Sequence, residues 1–345
     1  VPCNTAAAVS DSSRTSRTIS CKFWGLGSDG TVGANKNSIK IIGDHTDKKV
    51  QAYFQYDSKK SGGITISHIR FGDKPIRSTY YVSSADFVAC HNQSYIEKYD
   101  ILQDVKPGGK CLLNSTWNDE ELGERIPAAA KRYAAENDIH IYVCNAVDIA
   151  KELGLGGKTN MVLQAAFFKL ANIIPIDDAV KYMKDAVRTT YGRKGQEIVD
   201  KNIAAIDAGL TSIHELIIPN DWKSAVDMPK PETQVVGSEV LKDYVHNIME
   251  PANAQRGDKI PVSAMLPYAD GTIPQGTAAY EKRGTASDVP VWRPENCIQC
   301  NQCSLVCPHA AIRPFVIDEK EKSTAPESLE TIKMTGKGCE DKSFA

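Results

Sequence analysis

The sequence predicts an α/β fold in which a mostly parallel sheet with flanking helices is followed by an irregular linker and a small cysteine-rich domain. Three observations predict it. Short apolar runs alternate with helical stretches over residues 19–218. Proline, glycine and charged residues are frequent in residues 219–293, where little hydrophobic periodicity persists. Four closely spaced cysteines follow within residues 294–345.

The composition is typical of a globular protein with two or three domains: 345 residues, 41% hydrophobic and 24% charged. A formal net charge of -2 gives no electrostatic reason to expect a nucleic-acid or membrane partner. No stretch approaches the ~20 apolar residues of a transmembrane helix, and no signal-peptide core is present. Ten cysteines without a secretion signal favour a reducing compartment, either the cytoplasm or a reducing organelle of an anaerobic eukaryote.

Residues 1–18 are rich in Ser, Thr and Ala, and we expect them to form a linker or disordered end. The chain begins at Val1 rather than Met, which we expect of a piece of a longer polypeptide. A strand is predicted at residues 18–24, and a helical stretch is predicted to end near residue 42.

Between that strand and that helix lies a G-x-G-x-x-G sequence. Its glycines permit a tight turn through which backbone N–H groups approach an anion, and the helix N-terminus adds partial positive charge. The alternative is a plain tight turn without a ligand. The candidate ligand-binding residues here are Gly25, Gly27, Ser28, Asp29, Gly30 and Thr31.

Further strand-like runs predict that the sheet is Rossmann-like. They lie at residues 50–56, 64–69, 87–90, 109–113 and 140–144. A helix is predicted at residues 127–137. In such sheets ligands bind beyond the carboxyl ends of the strands. Polar residues or glycines follow the strand ends, as a binding crevice requires: residues 25–30 and 59–63, His91, Asn92, Asn114 and Asn145.

The cofactor predicted for this crevice is a phosphorylated ADP carrier such as coenzyme A. NAD binding needs an acidic residue after the second strand, and Asp57 could serve. However, Lys59, Lys60 and Ser61 follow at once, and two cations and a hydroxyl beside glycines suit phosphate better than a ribose diol. A solvated turn is the alternative interpretation of the lysine pair.

The pattern becomes helical after residue 154. An apolar helix is predicted at residues 161–171, and the preceding Gly-Gly-Lys makes Lys158 and Asn160 candidates for a second anion contact. Amphipathic helices are predicted at residues 177–191 and 195–216, and a short helix at residues 238–249. The cysteines inside apolar runs are predicted to be buried small hydrophobes rather than ligands: Cys21, Cys90, Cys111 and Cys144.

The cysteine run is the strongest functional signal. Cys297, Cys300, Cys303 and Cys307, with Pro308, have the spacing C-x2-C-x2-C-x3-C-P that bacterial ferredoxins use to hold [4Fe–4S] clusters. A zinc knuckle or a disulfide knot explains neither this spacing nor the proline. The first three cysteines are predicted to ligate one cluster and Cys307 the other cluster of a pair. The second run would lie beyond Ala345, so residues 294–345 are expected to be the first part of a two-cluster ferredoxin-like domain.

Six stretches of the chain resemble the pyruvate:ferredoxin (flavodoxin) oxidoreductase family, in its central portion. They are residues 21–36, 56–68, 89–92, 154–158, 276–284 and 294–303. The resemblance extends over about residues 20 to 335. It implies a gamma-type α/β domain that binds coenzyme A at residues 19–218. A linker with the Glu281-Lys282-Arg283 segment and the two-cluster domain would follow.

The resemblance also implies the reaction of the whole enzyme. Pyruvate and coenzyme A would give acetyl-CoA and carbon dioxide, with electrons passing through [4Fe–4S] clusters to ferredoxin or flavodoxin. Thiamine diphosphate and Mg would bind in other domains of the same polypeptide, because no Gly-Asp-Gly motif occurs here. No catalytic residue is therefore assigned in this chain, and the full-length protein is expected to be a homodimer. The alternatives are a related 2-oxoacid or NADP-linked enzyme, or a non-catalytic iron–sulfur carrier with a nucleotide-binding domain.

Overall fold

A computed structural model describes residues 18–57, 62–77, 79–227, 233–281, 290–308 and 310–345. They belong to two compact units, with the boundary between residues 287 and 288. The domain boundaries expected from the sequence at residues 218 and 293 stay a prediction.

In the described part of the first unit, seven strands form one sheet in the order β2-β3-β1-β4-β5-β6-β7. The strands are β1 (Ile19–Leu26), β2 (Lys49–Tyr56), β3 (Ile64–Gly72), β4 (Ala85–Cys90), β5 (Val105–Asn114), β6 (His140–Cys144) and β7 (His214–Glu215). The strands β1, β4, β5 and β6 are mutually parallel, and β3 is antiparallel to both β1 and β2. β2 therefore runs in the direction of β1, and the predicted mostly parallel sheet is confirmed.

Helices cover both faces of this sheet. They are α1 (Thr31–His45), α2 (Asp119–Arg125), α3 (Ala128–Glu136), α4 (Ala146–Glu152), α5 (Asn160–Ala171), α6 (Ile176–Tyr191) and α7 (Gln196–Thr211). Side chains alternate along a strand, so β1 buries Phe23 in one core and Trp24 in the other. The core that contains Phe23 also contains Phe167 of α5. The core that contains Trp24 also contains Leu122 of α2 and Trp222.

The prediction of one helix over residues 195–216 is wrong at its end. The helix α7 ends at Thr211, and His214 and Glu215 form β7, which pairs antiparallel with Val143 and Tyr142 of β6. The Leu216 N–H extends this pairing by donating to the Ile141 carbonyl at 2.8 Å. Backbone pairing at a free sheet edge therefore overrides the helical pattern.

The prediction that four cysteines in the first unit are buried small hydrophobes is confirmed. Cys21, Cys90, Cys111 and Cys144 have no exposed surface. Burial raises the pKa of each thiol, that of Cys90 to about 12, because the charged thiolate is disfavoured away from water. These thiols stay protonated and serve as packing groups.

Residues 233–281 form short helical turns rather than one regular element. They include α8 (Glu239–Tyr244), a π-helical turn (Val245–Met249), α9 (Glu250–Asn253) and the 3₁₀ helices Val262–Tyr268 and Thr277–Tyr280. Leu241 of α8 and Val245 and Ile248 of the π-helical turn are buried. The Tyr280 hydroxyl accepts from Val236 N at 2.8 Å and lies 3.1 Å from the Val236 carbonyl, which ties the two ends of this segment together.

The second unit contains α10 (Gln302–Val306), α11 (Glu319–Thr324) and the two-residue strands β8 (Val316–Ile317), β9 (Ile332–Lys333) and β10 (Ser343–Phe344). The three strands form a small antiparallel sheet in the order β8-β10-β9. Phe344 is buried and lies near Trp292, with 6.3 Å between ring centroids. In the described ranges of the chain, no helix has both the length and the apolar character needed to cross a bilayer.

Candidate functional site

The order of the strands places a crevice between β1 and β4. After β1 the chain builds β2 and β3 on one side, and it then builds β4, β5 and β6 on the other side. The connections that leave the carboxyl ends of β1 and β4 therefore run to opposite sides of the sheet. This is a topological switch point, where α/β proteins bind their ligands. The G-x-G-x-x-G of residues 25–30, here called the glycine loop, lies at the end of β1, and His91 follows β4.

The glycine loop is closed by the carboxylate of Asp29. Its Oδ1 accepts from Thr31 N at 2.7 Å, and its Oδ2 accepts from Leu26 N at 2.9 Å and from the Thr31 hydroxyl at 2.8 Å. Gly30 has a φ of 90°, a conformation that favours glycine. A β-carbon at Gly25 would lie 2.7 Å from Thr31 Cβ, so strand and helix approach closely here. The carboxylate of Asp29 thus takes the position at the start of α1 that the phosphate of a ligand could otherwise take.

His91 continues this polar network into the crevice. Its Nδ1 lies 2.7 Å from the Thr31 hydroxyl oxygen. That hydroxyl gives its single proton to Asp29, so Nδ1 of His91 must carry a hydrogen and donate it. Burial lowers the pKa of His91 to about 4, and the negative charge of Asp29 opposes this shift. At neutral pH the imidazole is uncharged and its Nε2 is an acceptor.

The low pKa of His91 predicts a pH-dependent stability. An unfolded histidine titrates near 6.5, so between about pH 6.5 and 4 the unfolded chain binds a proton that the folded chain does not. The free energy of unfolding therefore falls as the pH is lowered below about 6.5. At pH 5.5 the loss due to His91 is on the order of 1 kcal/mol. Urea denaturation at pH 7.0 and 5.5 measures the loss, which should shrink in His91→Asn. Equal losses in the variant and the wild type would contradict the assignment.

The asparagines at the strand ends make structural hydrogen bonds. Asn114 Nδ2 donates to the His91 carbonyl at 2.9 Å, and its Oδ1 accepts from Ala146 N at 3.1 Å. Asn92 caps the 3₁₀ helix that follows β4, and Asn145 caps α4. These side chains hold the loops of the crevice in place.

The structure brings Asn160 to the glycine loop. A β-carbon added at Gly30 would lie 3.3 Å from Cγ of Asn160, so the first residue of α5 packs against the start of α1. Lys158 is exposed two residues earlier. Two helix N-termini therefore meet at the switch point, which favours negative charge there.

Lys59, Lys60 and Ser61 lie outside the described residues. The residues that flank them are placed at the same edge of the sheet as the glycine loop. Asp57 N donates to the Ile64 carbonyl at 3.0 Å, and Gly27 N donates to the Gly63 carbonyl at 2.8 Å. The β2–β3 connection thus starts and ends beside the carboxyl end of β1.

A cavity of about 850 Å³ lies next to this connection. One wall contains Asp57 and Gly62 of the sheet edge, with Lys98 and Tyr99 from the turns after β4. The second wall comes from a later part of the chain and contains Thr233, Gln234, Glu250, residues 252–255 and residues 279–281. Sequence reasoning missed this cavity, because the second wall has no periodic pattern and is about two hundred positions distant along the chain.

Three cysteines of the run line an apolar cavity in the second unit. Cys297, Cys300 and Cys303 line its volume of about 590 Å³ together with Ile298 and Phe344, whereas Cys307 does not line it. Two sulfur atoms accept backbone hydrogen bonds, Cys297 from Gln299 N at 3.4 Å and Cys307 from Ala311 N at 3.3 Å.

The peptide between these cysteines is sharply turned. Gln299 and Asn301 have left-handed φ values of 58° and 60°, and the Gln299 side chain binds the backbone of Lys333 and Thr335. In the part of the chain that the structure describes, no three His, Cys, Asp or Glu side chains are gathered as a metal site requires. The four thiols nevertheless form a donor set of the type that iron–sulfur clusters use.

Comparison with known proteins identifies the family. Residues 20–212 match the family model described as pyruvate ferredoxin/flavodoxin oxidoreductase. The chain belongs to this family. Residues 290–313 match the 4Fe-4S binding domain, so the predicted iron–sulfur character of the cysteine run is confirmed. Residues 230–286 match a model named EKR, a domain of unknown function.

Curated relatives agree with this family. The chain is 54% identical over 321 residues to a pyruvate-flavodoxin oxidoreductase of Enterobacter agglomerans, covering 93% of the chain and 27% of the relative. It is 53% identical over 320 residues to pyruvate:ferredoxin oxidoreductase of Moorella thermoacetica, with the same two coverages. The chain therefore spans about a quarter of the length of these relatives.

Among solved structures, subunit PORC of the pyruvate oxidoreductase of Thermotoga maritima matches with a TM-score of 0.47 and 18% identity. The match covers 58% of this chain and 98% of that subunit.

Proposed function

We propose that this chain is the coenzyme A-binding and electron-relaying portion of a pyruvate:ferredoxin or pyruvate:flavodoxin oxidoreductase. The single observation that carries the proposal is the 54% identity to a pyruvate-flavodoxin oxidoreductase over 93% of the chain. In the balanced reaction, pyruvate and the coenzyme A thiol give acetyl-CoA, carbon dioxide, one proton and two electrons. The acceptor of these electrons is ferredoxin or flavodoxin.

Coenzyme A is proposed to bind at the switch point. Asp29 already takes the hydrogen bonds of the glycine loop, so that loop contributes shape and close approach rather than a free phosphate cradle. The phosphate groups are then assigned to Lys59, Lys60 and Ser61 in the β2–β3 connection. Lys158 and Asn160 are proposed as further contacts, because α5 begins beside the loop.

The cysteines are proposed to hold iron–sulfur clusters in a crossed arrangement. Cys297, Cys300 and Cys303 line one cavity and would ligate one cluster, and Cys307, which does not line that cavity, would ligate another. The backbone N–H groups of Gln299 and Ala311 point at sulfur, and hydrogen bonds of this kind tune the reduction potential of a cluster. Thiamine diphosphate, when bound elsewhere in the enzyme, would supply the carbanion chemistry.

The proposed function predicts coenzyme A-dependent oxidation of pyruvate by the full-length gene product. Purified anaerobically, the protein should reduce methyl viologen when both pyruvate and coenzyme A are present. Omission of coenzyme A should lower the rate at least tenfold, because the acetyl group then lacks its acceptor. A protein that holds clusters but reduces no viologen with pyruvate would instead be a non-catalytic electron carrier.

A second candidate differs only in the electron acceptor. The chain is 46% identical over 344 residues to a pyruvate dehydrogenase [NADP(+)] of Cryptosporidium parvum, covering 93% of the chain and 18% of that relative. Reduction of NADP by pyruvate and coenzyme A, followed at 340 nm, would favour this candidate. Reduction of ferredoxin or flavodoxin alone would favour the first.

A further inference from the structure

Within the segment of unknown function matched at residues 230–286, the described residues form part of a ligand-sized cavity. The described residues 233–281 meet the carboxyl edge of the sheet beside β2, and the space between them is about 850 Å³. This volume lies within the usual range of small-molecule sites. The cavity begins at Asp57 and Gly62, so it adjoins the connection to which we assign the phosphates of coenzyme A.

The wall supplied by this segment is attached to the sheet by specific contacts. Gln55 Nε2 of β2 donates to Oε1 of Gln255 at 3.4 Å. Arg256 and Lys259 both pair with Asp100, at 3.6 and 3.2 Å. Each exposed pair contributes little stability by itself, but together they fix the position of residues 255–259. The segment therefore forms a defined surface of the cavity.

The charges on the described lining residues of the cavity disfavour phosphate. Among its described lining residues are three carboxylates, Asp57, Glu250 and Glu281, and one ammonium group, that of Lys98. A phosphate placed among them would meet net repulsion in a partly desolvated space. The remaining polar groups are mainly amides, among them Gln55, Gln234 and Gln255, which both donate and accept hydrogen bonds.

The chemistry of coenzyme A decides which part of it suits this cavity. The ribose carries a 3′-phosphate and a 5′-diphosphate, so the nucleotide end cannot enter without bringing negative charge. The pantetheine arm is uncharged and contains two amides and one hydroxyl, which complement amide and carboxylate side chains.

We propose that residues 233–281 supply the second wall of the coenzyme A site and that the cavity receives the pantetheine arm. The inference rests on the proposed function, because it takes coenzyme A as the ligand. It assigns a role in binding to a segment whose family model is described as a domain of unknown function.

Two neighbouring alanines test the proposal. Ala279 lines the cavity, whereas Ala278, which is also exposed in the same 3₁₀ helix, does not. In the full-length gene product, Ala279→Trp should fill the cavity and raise the dissociation constant of coenzyme A at least tenfold. Ala278→Trp should change it less than twofold. Titration calorimetry is the measurement, and Ala252→Trp, which fills the cavity from α9, should repeat the loss if Ala279→Trp does not fold.

Adenosine 3′,5′-bisphosphate, which lacks the pantetheine arm, serves as the second ligand. Its affinity should change less than twofold in Ala279→Trp. An equal loss for both ligands would place the nucleotide end in the cavity and overturn the proposal. Unchanged coenzyme A affinity in folded Ala279→Trp and Ala252→Trp would also overturn it. A wild-type protein that binds no coenzyme A would overturn the proposed function itself and this inference with it.

Discussion

Replacing Cys300 by Ala in the full-length gene product is expected to abolish the EPR signal of one [4Fe–4S] cluster and to leave that of another. In the proposed crossed arrangement Cys300 is one of the three cysteines that ligate one cluster, so its loss should remove a thiolate from that cluster only. Electron flow from pyruvate to methyl viologen should fall by at least a hundredfold, because the relay is interrupted. Low-temperature EPR of the dithionite-reduced enzyme is the measurement.

Two further variants complete this test. Cys307→Ala should remove the other cluster's signal, because the fourth cysteine of the ferredoxin spacing ligates the second cluster of a pair. Cys339 lies outside the ferredoxin spacing, so Cys339→Ala should leave both signals intact. If Cys300→Ala and Cys307→Ala remove the same signal, the crossed arrangement is wrong.

Replacing both Lys59 and Lys60 by Ala is expected to raise the dissociation constant of coenzyme A at least tenfold. Each charge-assisted contact to phosphate contributes roughly 1.5–3 kcal/mol, and about 1.4 kcal/mol corresponds to a factor of ten. Calorimetry with the full-length gene product measures the change. The matched control is Lys48→Ala with Lys49→Ala, because this pair lies at the opposite, amino end of β2.

Two other results would contradict the assignment of coenzyme A phosphates to this lysine pair. Equal affinity in the Lys59/Lys60 variant and the wild type would assign the pair to a solvated turn. Tight binding of NAD by the wild type, abolished in Asp57→Asn, would instead identify Asp57 as a ribose ligand.

The elements of the sheet could be predicted because burial leaves a local pattern. The strands β4 and β6 and the second half of β5 are short apolar runs, and two glycines precede β3. The first half of β5 could not be predicted, because Pro107, Gly108 and Gly109, which are typical of turns, lie inside that strand. The two-residue strand β7 could not be predicted, because two residues carry no period. It forms because the edge of β6 has backbone groups that can pair with it. That edge exists only once the sheet has folded, so it leaves no local pattern in the sequence.

The candidate site was predicted in part. The G-x-G-x-x-G spacing identified the loop after β1, but the same residues are compatible with an external or an internal anion. The side chain of Asp29 turns toward Leu26 N and Thr31 N, and this choice depends on three-dimensional contacts such as that of Thr31 with His91. The meeting of Gln55 with Gln255 is a long-range contact without a local signal. The roles of Lys59, Lys60 and Ser61 stay a prediction.

The separation of the cysteines into two environments has a consequence for oxygen damage. Thiolates, not thiols, react with oxidants, and burial keeps Cys21, Cys90, Cys111 and Cys144 in the unreactive protonated form. Cys300 and Cys303 are exposed, and Cys297 and Cys307 are partly exposed. Oxidation of cysteine would therefore fall on the cysteine run of the second unit and spare the core of the α/β unit. In a protein inactivated by air the α/β unit is expected to stay folded, and thiol reductant with iron and sulfide should rebuild those clusters whose cysteines were oxidised no further than disulfide or sulfenic acid.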